Sequence, residues 1–147
     1  MTDKSQDNTG SLSKVLAGTF RLYVQTHGYH WNVEGPSFRQ LHLMFEEQYQ
    51  NLWNALDPIA ERIRAMGAYA PGSIGELMKL AGEEAAPAQS AEAMVDALIK
   101  SHDALAGQLR KAIVTAQEAG DEPSAGMLSD RLEWHEQQLW MMKASRK

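Results

Sequence analysis

Apolar residues recur every three or four positions over most of the chain, which is the spacing of amphipathic helices rather than of strands. A first stripe predicts a helix that runs to about Val33, where Gly35 and Pro36 stop it. A second stripe predicts a helix that follows Ser37 and runs to about Met66. The first stripe consists of Leu12, Leu16, Thr19, Leu22, Tyr23 and His30, and the second of Leu41, Phe45, Gln48, Leu52, Leu56, Ile59 and Ile63.

The same reading predicts three more helices. Their boundaries are Ser73 to about Leu80 for a short helix, Ser90 to Gly120 for a third long helix, and Asp121 to about Ala144 for the last one. Ser37 and Ser73 each begin a helix with a capping box. We therefore expect an all-α domain over residues 11–147, a four-helix bundle with a short extra helix between the second and third long helices. The polar residues 1–10 are expected to form a mobile N-terminal tail.

Pro58 interrupts the second stripe and leaves two alternatives. Inside a helix, a proline deletes one backbone hydrogen bond and crowds the preceding turn, at a cost of about 3 kcal/mol or more. The helix either continues with a kink or breaks, with Asp57 capping a new helix whose first residue is Pro58. We favour the kinked, continuous helix.

The composition and charge of the chain exclude several kinds of functional site and partner. The 147 residues suffice for one domain with a sound core. Because the chain has no cysteine, disulfides, thiolate nucleophiles and cysteine-held clusters are excluded, and any metal would be bound by imidazole and carboxylate groups, which suit iron, manganese or zinc. The formal charge of -5 disfavours indiscriminate nucleic-acid binding. With no long apolar run and no signal-peptide core at residues 1–7, we expect a soluble cytoplasmic protein that has no membrane partner.

Two pairs of potential metal ligands lie within the second predicted helix. His42 and Glu46 are four residues apart, as are Asp57 and Glu61, so the members of each pair share a helix face. The midpoints of the two pairs are 15 residues apart, which corresponds to about 22 Å along an α-helix. A single ion cannot contact both pairs of one chain. If both pairs bind metal together, the other half of the site comes from a second copy of the chain.

Spacing alone is also consistent with residues that bind no metal, because acidic residues four apart usually form a solvated helix face. A conventional site inside one bundle is disfavoured, since di-iron bundles usually carry Glu-x-x-His. None of the residues three before a histidine is acidic here: they are Val24, His27, Arg39, Ile99 and Leu132. Antiparallel pairing of two copies of the second helix would place the His42 pair of one copy opposite the Asp57 pair of the other, and two-fold symmetry would make two such sites.

Four runs of the chain resemble one known family. Residues 30–38 read HWNVEGPSF, a His-Trp pair followed by a Gly-Pro break, and residues 41–46 read LHLMFE, with two potential ligands at fixed offsets. Residues 56–62 (LDPIAER) and 135–142 (HEQQLWMM) extend the similarity towards the C-terminus. Together these runs resemble the miniferritins called Dps, DNA-binding proteins from starved cells, over nearly the whole chain.

This resemblance implies a ferritin-like four-helix bundle that assembles from two-fold dimers into a hollow homododecamer. It implies a ferroxidase that oxidises Fe(II) to Fe(III), preferably with hydrogen peroxide, stores the ferric mineral and protects the cell from oxidative damage. The implied iron ligands are His30, His42 and Glu46 of one subunit and Asp57 and Glu61 of its two-fold mate. No catalytic residue beyond these ligands is implied.

Other residues receive less specific roles. Trp31 is a candidate electron relay beside the iron, although packing explains it equally well. The family usually has an acidic pore residue early in the last helix, where this chain has Gly126, so Asp121, Glu122 and Asp130 are candidate pore residues instead. We expect the other tryptophans in the core or at an interface and the other histidines in structural or exposed positions: Trp53, Trp134 and Trp140, and His27, His102 and His135.

Direct DNA binding is not favoured, despite the family name. Members that bind DNA use lysine-rich tails, whereas this N-terminus sets Lys4 against Asp3 and Asp7. Twelve copies would carry a formal charge near -60, which is 12 times -5, and would repel phosphate. The alternative is a nucleoid-associated, DNA-compacting protein with secondary iron chemistry, whose basic patch would be Lys143, Arg146 and Lys147. An inert helical scaffold with degenerate sites is a third reading.

Overall fold

Every regular element in the described part of the chain is a helix. The structure is a computed structural model that describes residues 2–82, 84 and 87–147. The helices are α1 over Asp3–Asn32, α2 over Phe38–Ala65, α3 over Ile74–Ala81, α4 over Ala91–Glu118 and α5 over Glu122–Ser145. The predicted all-α architecture, with the short helix between the second and third long ones, is confirmed.

The four long helices share one apolar core. α1 packs along α2 and α4, α4 packs along α5, and α3 lies against α1. Each long helix contributes fully buried apolar side chains to this core, among them Leu12, Phe45, Leu98 and Leu128. Within the described ranges no helix is both long enough and apolar enough to cross a membrane.

Pro58 lies inside α2, and the helix is continuous through it. The continuous alternative is therefore confirmed, and a new helix capped by Asp57 is wrong. Ala55, Ile59 and Ile63 surround the proline in sequence and are all buried. Their packing against the core holds the helix together and offsets the backbone hydrogen bond that the proline deletes.

Serine residues precede three of the helices but cap only two of them. Ser73 and Ser90 accept hydrogen bonds from the backbone N–H groups of Glu76 at 3.2 Å and Ala93 at 3.1 Å. Ser37 makes no such bond, so the capping box predicted for α2 is wrong. Its φ of -98° and ψ of 18° form a turn, whereas Ser73 and Ser90 have the extended backbone that directs a side chain onto the first helical turn.

Residues 3–10 belong to α1, which corrects the mobile tail predicted for residues 1–10; Met1 lies outside the described residues. Thr2 caps α1 by accepting a hydrogen bond from the N–H of Ser5 at 3.1 Å. Asn8 is buried and donates to the carboxylate of Asp121 at 2.8 Å. The polar composition of this segment misled the prediction because the partner of Asn8 lies 113 residues away.

Asp121 joins three helices. It caps α5 by accepting from the N–H of Ser124 at 3.1 Å, and it also accepts from Asn8 of α1 at 2.8 Å and from Arg62 of α2 at 2.6 Å. Burial raises the pKa of Asp121, but hydrogen bonds from Ser124, Asn8 and Arg62 outweigh burial and leave the pKa below its usual value. The carboxylate therefore stabilises the fold above its unfolded pKa and loses that contribution as the pH falls.

A second polar group lies between α4 and α5. His102 and His135 are fully buried, and their Nδ1 atoms lie 2.8 Å apart, so one ring donates and the other accepts. Burial and the charge of Arg131 lower the pKa of His102 to about 3. Burial, His102 and Arg131 lower the pKa of His135 well below 6.5. Both rings are therefore neutral at physiological pH, and their burial fits the structural alternative of the prediction for these two histidines.

We predict that acid destabilises the fold through these two histidines. An unfolded histidine is protonated below about pH 6.5, whereas folded His102 stays neutral down to about pH 3. The unfolded state thus binds more protons in this window, and stability falls as the pH drops. Between pH 7.5 and pH 5, urea unfolding should show a loss of about 2 kcal/mol for each buried histidine.

The matched control is the double variant His102→Gln/His135→Gln, whose amides retain hydrogen-bonding groups without titrating in this range. It should lose most of the pH dependence, while the remaining histidines of the chain are unchanged. The same decline in unfolding free energy in the wild-type protein and in this variant would show that the buried pair is not the cause.

Candidate metal centre

The turn between α1 and α2 brings two histidines face to face. α1 ends at Asn32, and α2 begins at Phe38. Between them, Gly35 has a φ of 112°, a conformation that side chains other than hydrogen rarely allow. His30 lies five residues before Gly35 and His42 lies seven after it, and the returning helix places their rings opposite each other.

His30 and His42 hold each other through reciprocal hydrogen bonds. The Nδ1 atom of His30 lies 2.8 Å from the carbonyl oxygen of His42, and the Nδ1 atom of His42 lies 2.7 Å from the carbonyl oxygen of His30. A carbonyl oxygen only accepts, so each Nδ1 carries the hydrogen and donates it. In its neutral form, each ring therefore has its lone pair on Nε2, the form in which histidine binds a metal ion. We call this pair the histidine clasp.

Packing fixes the clasp as well. The rings of His30 and His42 are stacked, with centroids 3.8 Å apart and planes 16° apart. Phe38 stacks on His42 with centroids 4.9 Å apart, and the edge of Tyr49 meets His30 at 5.1 Å. His30 is only 7% exposed. The two imidazoles are thus pre-organised, since hydrogen bonds and neighbouring rings together restrict their rotation.

The predicted carboxylate ligands are not gathered around the clasp within one chain. Glu46 is half-buried, one helical turn beyond His42, while Asp57 and Glu61 are exposed farther along α2. Among the residues that the structure describes, no three histidine, aspartate or glutamate side chains lie close enough to hold one ion. The structure therefore brings together His30 and His42 but leaves Asp57 and Glu61 accessible to another molecule.

Beside the clasp lies a group of rings that sequence reasoning missed, which we call the aromatic cluster: Tyr23, His27, Tyr49 and Trp53. His27 stacks on Tyr49 with centroids 3.8 Å apart and planes 9° apart. The hydroxyl of Tyr23 lies 2.9 Å from Nδ1 of His27, and its ring lies 5.3 Å from that of Trp53. Since Tyr49 also touches His30, the cluster is continuous with the clasp.

A spacing signal for this cluster was present in the sequence. His27 lies three residues before His30, and Tyr49 lies seven after His42, so each shares a helix face with a member of the clasp. Burial and the nearby charge of His30 lower the pKa of His27. Trp31, the candidate relay, packs on His27 at 4.3 Å and is 67% exposed.

The candidate pore residues separate into two groups. Asp121 is buried, and its carboxylate accepts hydrogen bonds from Asn8, Arg62 and Ser124, so all of these contacts are within the chain. Glu122 is exposed in the first turn of α5, and Asp130 and Gly126 are exposed farther along. The pore role stays a prediction, and of its three candidates Glu122 and Asp130 are the exposed ones.

The remaining tryptophans differ in their surroundings. Trp134 packs against the core, 5.7 Å from the ring of His102 and 4.7 Å from the guanidinium of Arg131. Trp53 is 57% exposed and Trp140 is 68% exposed, so neither belongs to the core of the chain. Their exposed rings fit the interface alternative of the prediction.

Comparison with known proteins places this arrangement in a family. A family model described as a ferritin-like domain matches residues 10–146. The DNA protection during starvation protein 2 of Bacillus anthracis is 34% identical over 90% of this chain and 92% of its own length. A Dps protein from Bacillus brevis superposes with a TM-score of 0.96 and 33% identity, covering 100% of this chain and 99% of that one. The chain belongs to the Dps family.

A second solved Dps structure has the same fold. The protein from Vibrio cholerae O1, described as a member of a broad superfamily of ferritin-like diiron-carboxylate proteins, superposes with a TM-score of 0.93 and 32% identity. The match covers 98% of this chain and 91% of that one. The Dps resemblance and the ferritin-like bundle inferred from the sequence are thus confirmed.

We predict that His30 and His42 are both Nδ1–H tautomers in the metal-free protein, because each donates to a carbonyl oxygen. Magic-angle-spinning nitrogen NMR of histidine-labelled protein at about pH 8 should show Nε2 unprotonated in both rings. The variants His30→Gln and His42→Gln assign the signals, since each removes one ring. Protonated Nε2 atoms in either ring would contradict the reciprocal hydrogen bonds.

Proposed function

We propose that this Dps protein oxidises and stores iron. It takes Fe(II) and hydrogen peroxide as substrates, works at sites shared by two-fold-related subunits of a dodecamer, and thereby protects the cytoplasm from peroxide. The observation that carries the proposal is the histidine clasp, in which both Nδ1 atoms donate to carbonyl oxygens and so leave Nε2 of each ring as the atom that can bind a metal. Membership of a ferritin-like family and the diiron-carboxylate description of the Vibrio cholerae relative support iron as that metal.

The proposed ligands come from two chains. His30, His42 and Glu46 form one half of the site, and Asp57 and Glu61 of the two-fold mate form the other. The exposure of Asp57 and Glu61 and their distance from His42 along a continuous α2 support this division. Imidazole and carboxylate groups without sulfur suit iron, and the negative carboxylates favour Fe(III) over Fe(II), which promotes oxidation.

The proposed reaction consumes peroxide without releasing a radical. Two Fe(II) ions supply one electron each, and hydrogen peroxide takes both electrons and two protons to give two water molecules. A one-electron reduction would instead give hydroxyl radical. The shared site prevents this when two Fe(II) ions react together, and storage of the ferric product inside the cage removes iron from further reaction.

The structure weakens the DNA-binding alternative. The N-terminal segment is part of α1 rather than a free tail, and Asn8 anchors it to Asp121. At the other end, Arg146 forms an ion pair with Asp96 at 2.8 Å and another with Glu92 at 3.7 Å. The relative from Bacillus anthracis is named for DNA protection, and removal of peroxide would protect DNA without contact.

We predict that Asp57→Ala slows peroxide-dependent Fe(II) oxidation at least tenfold while the cage still assembles, because an exposed ligand is lost and no core contact is removed. Stopped-flow absorbance of Fe(III) gives the rate, and native mass spectrometry gives the assembly and the bound iron. Glu47→Ala is the matched control, since Glu47 is an exposed carboxylate of α2 outside the proposed site. Wild-type rates for Asp57→Ala would refute the assignment.

Cages assembled from two different variants test directly whether each iron site takes ligands from two subunits. A dimer of His42→Ala with Asp57→Ala has both defects in one site and none in the other. Random reassembly of equal amounts should therefore restore about a quarter of the wild-type rate, because half the dimers are hybrids and half their sites are intact. Intact mixed cages that remain inactive would show that each site belongs to one chain.

We predict no retardation of duplex DNA by the assembled protein at physiological salt, because its net charge is negative and its N-terminal segment is helical. A gel-shift titration measures this. Retardation that disappears after removal of residues 145–147 would instead favour the DNA-compacting alternative.

A further inference from the structure

The proposed two-electron reaction does not prevent radical formation at a site that holds only one Fe(II). A site that holds a single Fe(II) can deliver only one electron to hydrogen peroxide, and the product would be hydroxyl radical. A protein group near the site could supply the missing electron if it could also release a proton. The aromatic cluster beside the histidine clasp contains such a group.

Tyr23 combines an oxidisable phenol with a base. Its hydroxyl oxygen lies 2.9 Å from Nδ1 of His27, within the reach of direct proton transfer. A phenol that loses an electron becomes a strong acid, so a base at this distance is what allows oxidation at neutral pH. A neutral imidazole that carries its hydrogen on Nε2 accepts at Nδ1 and meets this requirement.

A chain of ring contacts connects Tyr23 to the clasp. Tyr49 meets His30 edge-on, with centroids 5.1 Å apart. Tyr49 also lies 6.3 Å from Tyr23 and is stacked on His27 at 3.8 Å. An electron leaving Tyr23 therefore passes from its ring to the ring of Tyr49 and from there to the ring of His30, a proposed ligand.

We propose that Tyr23 is a one-electron donor to the iron site and that His27 is its proton acceptor; this rests on the iron-oxidising function proposed above. In the step, the O–H proton of Tyr23 moves to Nδ1 of His27, and one electron passes from Tyr23 through Tyr49. A single Fe(II) gives the second electron and becomes Fe(III). Hydrogen peroxide takes both electrons and two protons from solvent, its O–O bond breaks, and two water molecules and a tyrosyl radical result.

Tyr29 provides a matched control within the same helix. Its hydroxyl accepts a hydrogen bond from the side-chain amide of Gln25 at 3.3 Å, and its ring packs on Phe45. An amide donor cannot take up a phenolic proton. Tyr29 therefore lacks the feature that makes Tyr23 a donor, and Tyr29→Phe should leave the radical chemistry unchanged.

The first experiment uses the assembled protein loaded with one Fe(II) per proposed site, mixed with hydrogen peroxide and frozen within milliseconds. Electron paramagnetic resonance should detect a tyrosyl radical in the wild-type protein and in Tyr29→Phe. The signal should be at least fivefold smaller in Tyr23→Phe and in His27→Gln, while a spin trap detects more hydroxyl radical in both. A tyrosyl signal that is absent from the wild-type protein, or unchanged in Tyr23→Phe, would overturn the proposal.

Two further readouts separate this proposal from the iron function. Absorbance of Fe(III) in the same samples shows whether the wild-type protein oxidises Fe(II), and its absence would sink the proposed function. Flash photo-oxidation of the metal-free protein with tris(bipyridyl)ruthenium(III) needs no iron. It should form the tyrosyl radical faster in the wild-type protein than in His27→Gln or Tyr23→Phe, and equal rates in all three would rule out Tyr23 and His27 as a redox pair.

Discussion

The pair of hydrogen bonds between His30 and His42 fixes the end of α1 against α2 and the orientation of both rings. The carbonyl of His30 belongs to the last turn of α1, where carbonyl groups have no partner within the helix. The ring of His42 satisfies that carbonyl and is thereby fixed in one tautomer. One interaction thus closes a helix end, joins α1 to α2 and prepares two nitrogen lone pairs. The same contact helps to position the aromatic cluster, because Tyr49 packs on His30.

The stiffness of α2 complements this contact. Since the helix is continuous through Pro58, the clasp at one end and Asp57 and Glu61 farther along cannot fold towards each other. A break before Pro58 would have removed that constraint. In the proposed site these two sets of ligands are halves that a second copy of the chain would complete, so the proposed chemistry would depend on assembly.

Local patterns in the sequence were enough to predict the helices and the residues that flank the site. The apolar spacing identified four long helices and a short one, and the run from His30 to Phe38 identified the family. Contacts between distant residues could not be predicted this way, because neither partner marks the other: Asn8 bonds to Asp121 and His102 to His135 only once the bundle has formed. Backbone conformation caused the remaining error, since Ser37 has a suitable side chain on an unsuitable turn.

The anchoring of the start of α1 through Asn8 has a practical consequence for handling the protein. A polar, unpatterned start invites removal or the addition of a purification tag, but these residues form the helix that covers Asp121. Shortening the chain past Asn8 would leave the Asp121 carboxylate and the Arg62 guanidinium to solvent and would loosen the corner where α1, α2 and α5 meet. The opposite end of the chain, where Arg146 and Lys147 lie at the surface beyond α5, is the better place for an attachment.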